Sequence, residues 1–177
     1  TEITELPKIV TDIATLSSSK KYVLTTIRGF LYGNGNGKGM SVSGTNPFVN
    51  DNYCFTPCKD NDGKCYLYNV GGNSFVRKSD NTAKLELGLE QAEITFGVAT
   101  GNATYPHTIS VDGKFINHSQ TWVCTDYQTQ DDGNRWMIIE VGAADETAVG
   151  NRFVEAKTAL SLGNISRHTE NRKQTYQ

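Results

Sequence analysis

Short segments of β-branched, aromatic and aliphatic residues recur along the middle of the chain, and Gly, Asn and Asp residues separate them at close intervals. These segments read YVLTTI, CYLYNV, SFVRK, ITFGVA, HTISV, FINHS, TWVC and RWMIIEV. None of them sustains the 3.6-residue period of an amphipathic helix. Many short strands with turn formers between them are typical of an all-β sandwich or barrel, so the pattern predicts an all-β fold.

Three stretches of the chain repeat one plan at intervals of about forty residues. In each, a strand runs into a glycine-containing turn at Gly29, Gly72 or Gly113. An aromatic–aliphatic pair then follows: Phe30-Leu31, Phe75-Val76 and Phe115-Ile116. An aromatic residue in a last apolar strand closes each stretch: Phe55, Phe96 and Trp136. Three units of four short strands predict a β-trefoil, a pseudo-threefold six-stranded barrel capped by three hairpins, whose closure removes exposed sheet edges.

The repeats also predict the core and the place of a glycine-rich loop. We expect the closing aromatics to pack around the pseudo-threefold axis, with Leu31, Val76 and Ile116 as a second layer. The stretch FLYGNGNGKGM over 30–40 falls between the second and third strands of the first repeat. It lacks the Ser or Thr that follows the lysine of a phosphate loop, and its glycines do not match the dinucleotide-binding spacing. The stretch therefore predicts a long, flexible connection.

The two ends of the chain differ from the repeats. Residues 1–17 read as an N-terminal linker with a possible short helix, and the trefoil domain is expected over 18–143. Residues 144–177 are expected to form a C-terminal helix and a polar tail. The helix can be capped by Asp145 or Thr147. Its expected face and end are Ala148, Phe153, Ala156, Ala159 and Leu160, followed by Gly163-Asn164.

Composition and charge exclude some partners. The net charge is −2 and the pI is about 5.9, whereas a nucleic-acid-binding domain usually carries a basic patch. No apolar run approaches the length of a membrane span, so we expect neither nucleic acid nor membrane insertion. Because the chain begins with Thr1 and has no signal-type apolar segment, we expect it to be a piece of a longer protein.

Three of the four cysteines crowd into the stretch YCFTPCKDNDGKC. Structural zinc needs four ligands, which this spacing does not supply, so no metal is expected. Cys54 and Cys65 could face each other across a hairpin and form a disulfide in an oxidising compartment. The pairing among Cys54, Cys58, Cys65 and Cys124 stays open, since connectivity does not follow from spacing.

Several runs resemble a family of accessory domains. The runs DIATLSSSKKYVLTTIRGFL, KCYLYNVGGNSFV and DDGNRWMIIEVG resemble the trefoil modules appended to secreted or surface glycan-processing proteins of gut bacteria. The similarity spans roughly residues 12–160. It implies a secreted, periplasmic or bacterial cell-surface location, a larger parent protein with adjoining domains, and a glycan or polysaccharide as partner.

The third repeat is also similar to ricin-type lectin repeats. In those repeats a Gln-x-Trp-x-Cys strand precedes a closing Gln-x-Trp, and this chain has Gln120-Thr-Trp122-Val-Cys124 and then Asn134-Arg-Trp136. The resemblance implies a sugar-stacking aromatic at Trp122 and a hydrogen-bonding partner near Asn134. The chain departs from the pattern because the closing Gln is Asn, and because the closing aromatic is Phe in repeats one and two.

Sugar-binding sites combine an aromatic face with a few polar groups that hydrogen-bond hydroxyls, and repeat three carries both. The predicted carbohydrate-binding residues are Asp112, Asn117, His118, Gln120, Trp122, Tyr127 and Asn134. In the alternative interpretation Trp122 fills the core and the polar groups are solvated. Repeat one (Arg28, Tyr32, Asn34, Asn36) and repeat two (Asn69, Asn73, Arg77, Asp80) have polar groups but no Trp. We therefore expect one dominant site, in repeat three.

Catalysis has little support in the sequence. No histidine accompanies a recognisable nucleophile elbow, and Asp131 and Asp132 are adjacent on a predicted turn, where they cannot flank a glycosidic bond. The sequence therefore predicts a non-catalytic, lectin-like carbohydrate-binding module without a cofactor. The alternative is a protein-interaction, protease-inhibitor-like or structural spacer trefoil.

Overall fold

The computed structural model describes residues 7–44, 50–119, 122–158 and 162, and only the backbone of Trp122, Cys124, Asp126 and Tyr127. Its strands are β1 (Lys8–Ile9), β2 (Lys20–Thr26), β3 (Gly29–Gly33), β4 (Met40–Ser43), β5 (Cys54–Lys59), β6 (Cys65–Asn69), β7 (Ser74–Lys78), β8 (Leu85–Gly88), β9 (Ile94–Val98), β10 (His107–Val111), β11 (Lys114–Ser119), β12 (Trp122–Tyr127) and β13 (Met137–Ala143). Two 3-10 turns cover Ile13–Thr15 and Asp51–Tyr53, and helix α1 covers 146–158.

The strands after β1 form three repeats of four. These are β2–β5, β6–β9 and β10–β13, and in each repeat the first and second strands form an antiparallel hairpin. Phe30, Phe75 and Phe115 lie opposite Thr25, Tyr68 and Ser110, which are equivalent positions in the three hairpins. The second and third strands of each repeat pair as a cap hairpin. The chain is an all-β β-trefoil with a short C-terminal helix, which confirms the prediction from the repeats.

Two main-chain hydrogen bonds close the barrel between β10 and the start of β13. The amide of His107 donates to the oxygen of Trp136 at 3.1 Å, and the amide of Trp136 donates to the oxygen of His107 at 2.8 Å. The Trp136 indole is fully buried, and its Nε1 donates to the main-chain oxygen of Ile116 at 3.0 Å. Trp136 therefore ties the closing strand to the cap hairpin of its own repeat.

The core confirms the predicted second layer and corrects one closing residue. Leu31, Val76 and Ile116 are all fully buried. Phe55 lies opposite Asn69, the last residue of β6, and the residue opposite the last residue of β10 is Ile94 rather than Phe96. Ile94 is buried in the main core, whereas Phe96 is only partly buried against it. The prediction of Phe96 as the closing core residue is wrong because residue spacing does not reveal strand register.

The glycine-rich stretch belongs to the cap. The amide of Gly37 donates to the oxygen of Leu87 at 2.7 Å, and the amide of Leu87 donates to the oxygen of Lys38 at 3.0 Å. The amide of Thr125 in β12 donates to the oxygen of Ala83 at 2.8 Å, so the three cap hairpins are joined to one another. The prediction of a free, flexible connection is corrected by these bonds, which fix the 34–39 segment on β8.

The first described strand and helix α1 both pack on the barrel. Strand β1 pairs with β13, and Nε2 of His107 lies 2.8 Å from the oxygen of Val10. Helix α1 is capped by Asp145, as predicted, since its Oδ1 accepts from the Ala148 amide at 3.0 Å. The buried face of α1 contains Val149 and Ala156, and the predicted face residue Ala148 is exposed. The other predicted residues of this face and its end, Ala159, Leu160 and Gly163-Asn164, lie outside the described residues.

The described cysteines do not form the expected bridge. Cys54 lies opposite Val23 and Cys65 lies opposite Lys59, so the two thiols sit at opposite ends of β5. Cys54, Cys58 and Cys65 are free. Within the described residues, no group of three or more His, Cys, Asp or Glu side chains could hold a metal ion, and no helix is long and apolar enough to cross a membrane.

Candidate functional site

The threefold repeat creates three equivalent crevices at the side of the trefoil. One side of each crevice is the turn that joins the first two strands of a repeat. The other side is the preceding repeat, which contributes its second strand and the segment before its fourth strand. Strand register makes Arg28, Asn73 and Gly113 equivalent in the three turns. What fills each crevice therefore depends on the side chains at these positions and on the residues opposite them.

Main-chain packing closes the crevice between repeats one and two. The amide of Gly71 donates to the oxygen of Asp51 at 2.9 Å. A Cβ atom added to Gly71 would collide with Oδ1 of Asn52 and with the backbone at 51–52. The turn therefore lies directly on the segment before β5 and leaves no room for a ligand.

An arginine closes the crevice between repeats three and one. This Arg28 crevice is lined by Arg28, Asn117, His118 and Gly133. Nη1 of Arg28 donates to the main-chain oxygen of His118 at 2.8 Å, and the amide of His118 donates to the oxygen of Gly133 at 2.8 Å. A Cβ atom on Gly133 would lie 3.0 Å from Nη1 of Arg28. The guanidinium thus spans the crevice.

Asn117 brings a buried acceptor to the Arg28 crevice. Asn117 is buried, and its Oδ1 accepts no hydrogen bond from the described part of the chain. A buried acceptor without a donor lowers stability by about 1–3 kcal/mol. A hydroxyl or a water molecule that reached this oxygen would relieve that penalty.

The crevice between repeats two and three is open. This Arg77 crevice is lined by residues 77–80, residues 90–93 and Asp112, and its volume is about 270 Å³. The turn residue equivalent to Arg28 is Gly113 here, which has no side chain to span the gap. A Cβ atom built on Gly113 would have no atom within 4 Å. The same fold position is therefore filled in one repeat and open in another.

Arg77 is held by three carboxylates at the wall of the Arg77 crevice. Its Nη1 donates to Oε1 of Glu86 at 2.5 Å, and its Nη2 lies 2.5 Å from Oδ1 of Asp80 and 3.2 Å from Oε2 of Glu90. Burial lowers the pKa of Arg77, but the hydrogen bond to Asp80 and the charges of Glu90, Asp80 and Glu86 outweigh burial and raise it. The guanidinium is thus a fixed, fully charged part of the wall.

The Arg77 crevice offers a ligand mainly hydrogen-bond acceptors. Nε of Arg77 and Nε2 of Gln91 are buried and donate to no acceptor in the described part of the chain. Nζ of Lys78 donates to the main-chain oxygens of Ser79 and Thr82, both at 3.1 Å. The carboxylates of the lining can accept hydrogen bonds, so a ligand with several hydroxyl groups meets complementary atoms here.

The structure places the predicted binding residues in different surroundings. Asp112 lies in the β10–β11 turn, at φ +51°, and lines the Arg77 crevice. Asn117 and His118 lie near the other end of β11 and line the Arg28 crevice. The set of binding residues predicted from the sequence therefore combines residues of two different crevices. Asp112 lies at the turn of the β10–β11 hairpin, and Asn117 lies further along β11, away from that turn.

Asn134 serves the loop that contains it. It is fully buried, its Nδ2 donates to the oxygen of Thr129 at 2.9 Å, and its Oδ1 accepts from the Asp131 amide at 2.9 Å. Gln120 and the side chains of Trp122 and Tyr127 lie outside the described residues; the backbone of Trp122 lies opposite Ser119. A sugar-stacking role for Trp122 stays a prediction.

Sequence reasoning gave little weight to Arg77 and Asp80 and overlooked Glu90, Gln91 and Glu93. Alignment of the three turns offered one signal, since Gly113 occupies the position that Arg28 holds in repeat one. The convergence of three separate segments on one crevice follows only from the fold.

Comparison with known proteins supports the architecture alone. No protein-family model matches the chain, and no curated protein matches it by sequence. The chain is similar to the crystal structure of the Rhizoctonia solani agglutinin, with a TM-score of 0.57 and 14% sequence identity over 69% of this chain and 95% of that chain. At this low sequence identity, the structural similarity shows only that the two chains share a fold, the β-trefoil.

Proposed function

We propose that this chain is a non-catalytic carbohydrate-binding module and that the Arg77 crevice is its binding site. The observation that carries the proposal is the openness of this crevice, at a position where Arg28 fills the equivalent space in another repeat. A fold position that is closed by side-chain or main-chain contacts in two repeats and left open in the third is a natural place for a ligand.

The polar groups of the lining suit the hydroxyl groups of a sugar, although no aromatic ring lines this crevice among the residues that the structure describes. Ligand sites are concave and carry a small number of placed polar groups, in pockets from roughly 300 Å³ upward. The volume of the crevice, about 270 Å³, is close to that lower limit and suits one sugar unit rather than a long chain. Sugar hydroxyls donate to carboxylates such as those of Asp112 and Glu93.

The similar structure supports this function in a general way. An agglutinin is a protein that clumps cells, and the Rhizoctonia solani agglutinin shares the trefoil fold with this chain. The resemblance to accessory trefoils of glycan-processing proteins supports a place within a larger secreted or surface protein. In that setting the module would hold a neighbouring domain on its glycan.

A second sugar contact in repeat three is part of the proposal. The buried Oδ1 of Asn117 accepts from no donor among the residues that the structure describes, and His118 lies beside it. Gln120, Trp122 and Tyr127 belong to the same set of sugar contacts predicted from the sequence. Arg28 spans this crevice, so a ligand there would have to bind at its rim or displace the guanidinium.

The experiment is a glycan-array screen followed by calorimetric titration of a retained glycan. Asp112→Asn keeps the size of the side chain, and Asn tolerates a positive φ. Loss of one charge-assisted hydrogen bond should weaken binding roughly tenfold. The matched control is Asp62→Asn in the β5–β6 turn, which changes the same charge outside the crevice and should leave affinity unchanged.

Two results would count against this function. If no glycan is retained by the array or by affinity electrophoresis, the carbohydrate-binding proposal fails and a protein-interaction or spacer role is favoured. If a glycan binds and Asp112→Asn has no more effect than Asp62→Asn, the Arg77 crevice is not the site.

A further inference from the structure

We infer that the Arg77 crevice selects sugar units that carry a free ammonium group, over neutral and acidic sugars. The inference rests on the proposed function, because it names the ligand class of the same crevice. It follows from the balance of charges in the lining and from the fixed position of Arg77.

The lining is rich in carboxylates. Its cations are Arg77 and Lys78, and its anions are Asp80, Glu90, Glu93 and Asp112. Glu86 adds a further carboxylate behind Arg77. The surplus of negative charge favours a cationic ligand and opposes an anionic one.

Arg77 does not offset this surplus toward a ligand. Its guanidinium faces Asp80, Glu86 and Glu90, and its side chain is 16% exposed. An acidic sugar would need a cation with open hydrogen-bonding capacity, and both Nη atoms of Arg77 already hold carboxylates. Apart from Arg77, the described lining has one cation, Lys78, and its Nζ donates to main-chain oxygens. No cation of the described lining is therefore shown to neutralise the carboxylates of Glu93 and Asp112.

The number of carboxylates distinguishes an amino sugar from a simple amine. One ammonium group cannot pair with all four carboxylates of the lining, and the hydroxyl groups of a sugar can donate to those that remain. A small alkylammonium ion has the charge but no hydroxyl groups. A ligand with both an ammonium group and hydroxyl groups therefore meets more of the lining than either group alone.

The attraction should be sensitive to salt. Asp80 and Glu90 are 78% and 63% exposed, so solvent ions reach them. The Debye length shrinks from about 30 Å at 0.01 M to about 8 Å at 0.15 M ionic strength, so added salt screens the ammonium from the more distant carboxylates. A neutral sugar in the same crevice would show little salt dependence.

The test is calorimetric titration of the full chain with three matched sets of probes. Glucosamine and galactosamine are each compared with three sets of probes. The first set is their N-acetyl derivatives, the second is the neutral sugars glucose and galactose, and the third is the two charged probes glucuronic acid and methylammonium. We expect at least one amino sugar to bind roughly tenfold more tightly than its N-acetyl form, which equals about 1.4 kcal/mol. Sodium chloride at 0.15 M should weaken that binding several-fold relative to 0.01 M.

Variants assign the selectivity to the crevice. Glu93 and Asp112 are both exposed, and Glu93→Gln and Asp112→Asn keep the size of the side chain. Both variants should therefore fold normally and show a smaller preference for the amino sugar. Asp62→Asn should leave it intact. Circular dichroism and the urea midpoint verify folding of each variant.

The outcomes separate the two proposals. Equal binding of the amino sugar and its N-acetyl form overturns the ammonium selectivity while the carbohydrate-binding function stands. Equal binding of methylammonium and the amino sugar overturns the inference of an amino-sugar ligand, because the crevice would then recognise the charge without the sugar, and it counts against carbohydrate binding at this crevice. Tighter binding of glucuronic acid overturns it as well. If none of the sugars binds and no glycan is retained on the array, the proposed function fails with it.

Discussion

Nη1 of Arg28 donates to the main-chain oxygen of His118 at 2.8 Å and joins the turn of the first repeat to the cap hairpin of the third. The equivalent turn position in the third repeat is Gly113, and there the crevice toward repeat two is open. A single residue position thus separates a closed crevice from an open one in a fold of three similar parts.

The Arg28 bond should stabilise the fold modestly. Arg28→Ala removes the donor to His118, and we expect the free energy of unfolding to fall by about 0.5–1.5 kcal/mol. The measurement is urea unfolding followed by fluorescence. Arg28→Lys keeps the charge but not the planar fork, so it should recover only part of the loss; full recovery would show that charge alone matters.

Trp136 should be among the residues most sensitive to substitution. It is fully buried, and its Nε1 donates to Ile116. We expect Trp136→Ala to reduce the free energy of unfolding by about 3–5 kcal/mol. Trp136→Phe keeps much of the apolar contact but leaves the Ile116 oxygen without its donor, so it should lose less. An effect of Trp136→Ala below about 1 kcal/mol would contradict the assigned core position.

Asn134 separates a structural from a binding role. Asn134→Ala leaves the Thr129 oxygen and the Asp131 amide without their partner, and we expect a loss of about 1–3 kcal/mol in stability. Urea unfolding tests this. Glycan titration well below the unfolding midpoint then asks a second question: unchanged affinity marks a structural residue, and lost affinity supports the sequence prediction of a site in repeat three.

The glycine-rich loop should matter for stability. Deletion of 34–37 removes the bond from Gly37 to Leu87 and disturbs the junction of two cap hairpins. We expect a lower urea midpoint with unchanged glycan affinity, since the loop does not line the Arg77 crevice. Gly35→Ala should lower stability by about 1 kcal/mol, because Gly35 has φ +111°. A deletion variant as stable as the parent would show that the loop bonds contribute nothing.

The buried thiol of Cys54 and the partly buried thiol of Cys65 should make the fold less stable in alkali. Burial raises the pKa of Cys54 and of Cys65 from 9.0 to about 11. The folded state therefore binds more protons than the unfolded chain between pH 9 and 11, and the free energy of unfolding should fall as pH rises through this window. Urea unfolding from pH 8 to 11 measures the slope. Cys54→Ala should reduce the slope, and an unchanged slope would refute the contribution of this thiol.

The sequence predicted the architecture better than it predicted the site. The strands and their repeat follow from local patterns, since turns and alternating apolar residues lie within each unit. Ile94 was missed because Phe96 divides the distance between Phe55 and Trp136 more evenly, and because pairing register is not visible in one chain. Asn134 looked like a ligand-binding amide, but its bonds to Thr129 and Asp131 are made within its own loop. The Arg77 crevice gathers residues from three segments that only the fold brings together.

Chemical-shift mapping tests the central claim most directly. The ¹⁵N-labelled chain is titrated with a glycan retained on the array, and the amide shifts are followed to saturation. Binding in the Arg77 crevice predicts the largest shifts at 77–80, 90–93 and 112–113. It also predicts that half-saturation needs roughly ten times more glycan in Asp112→Asn but not in Asp62→Asn. Saturable shifts confined to residues 117–134, with 77–80 and 90–93 unmoved, would contradict the account and place the site in repeat three.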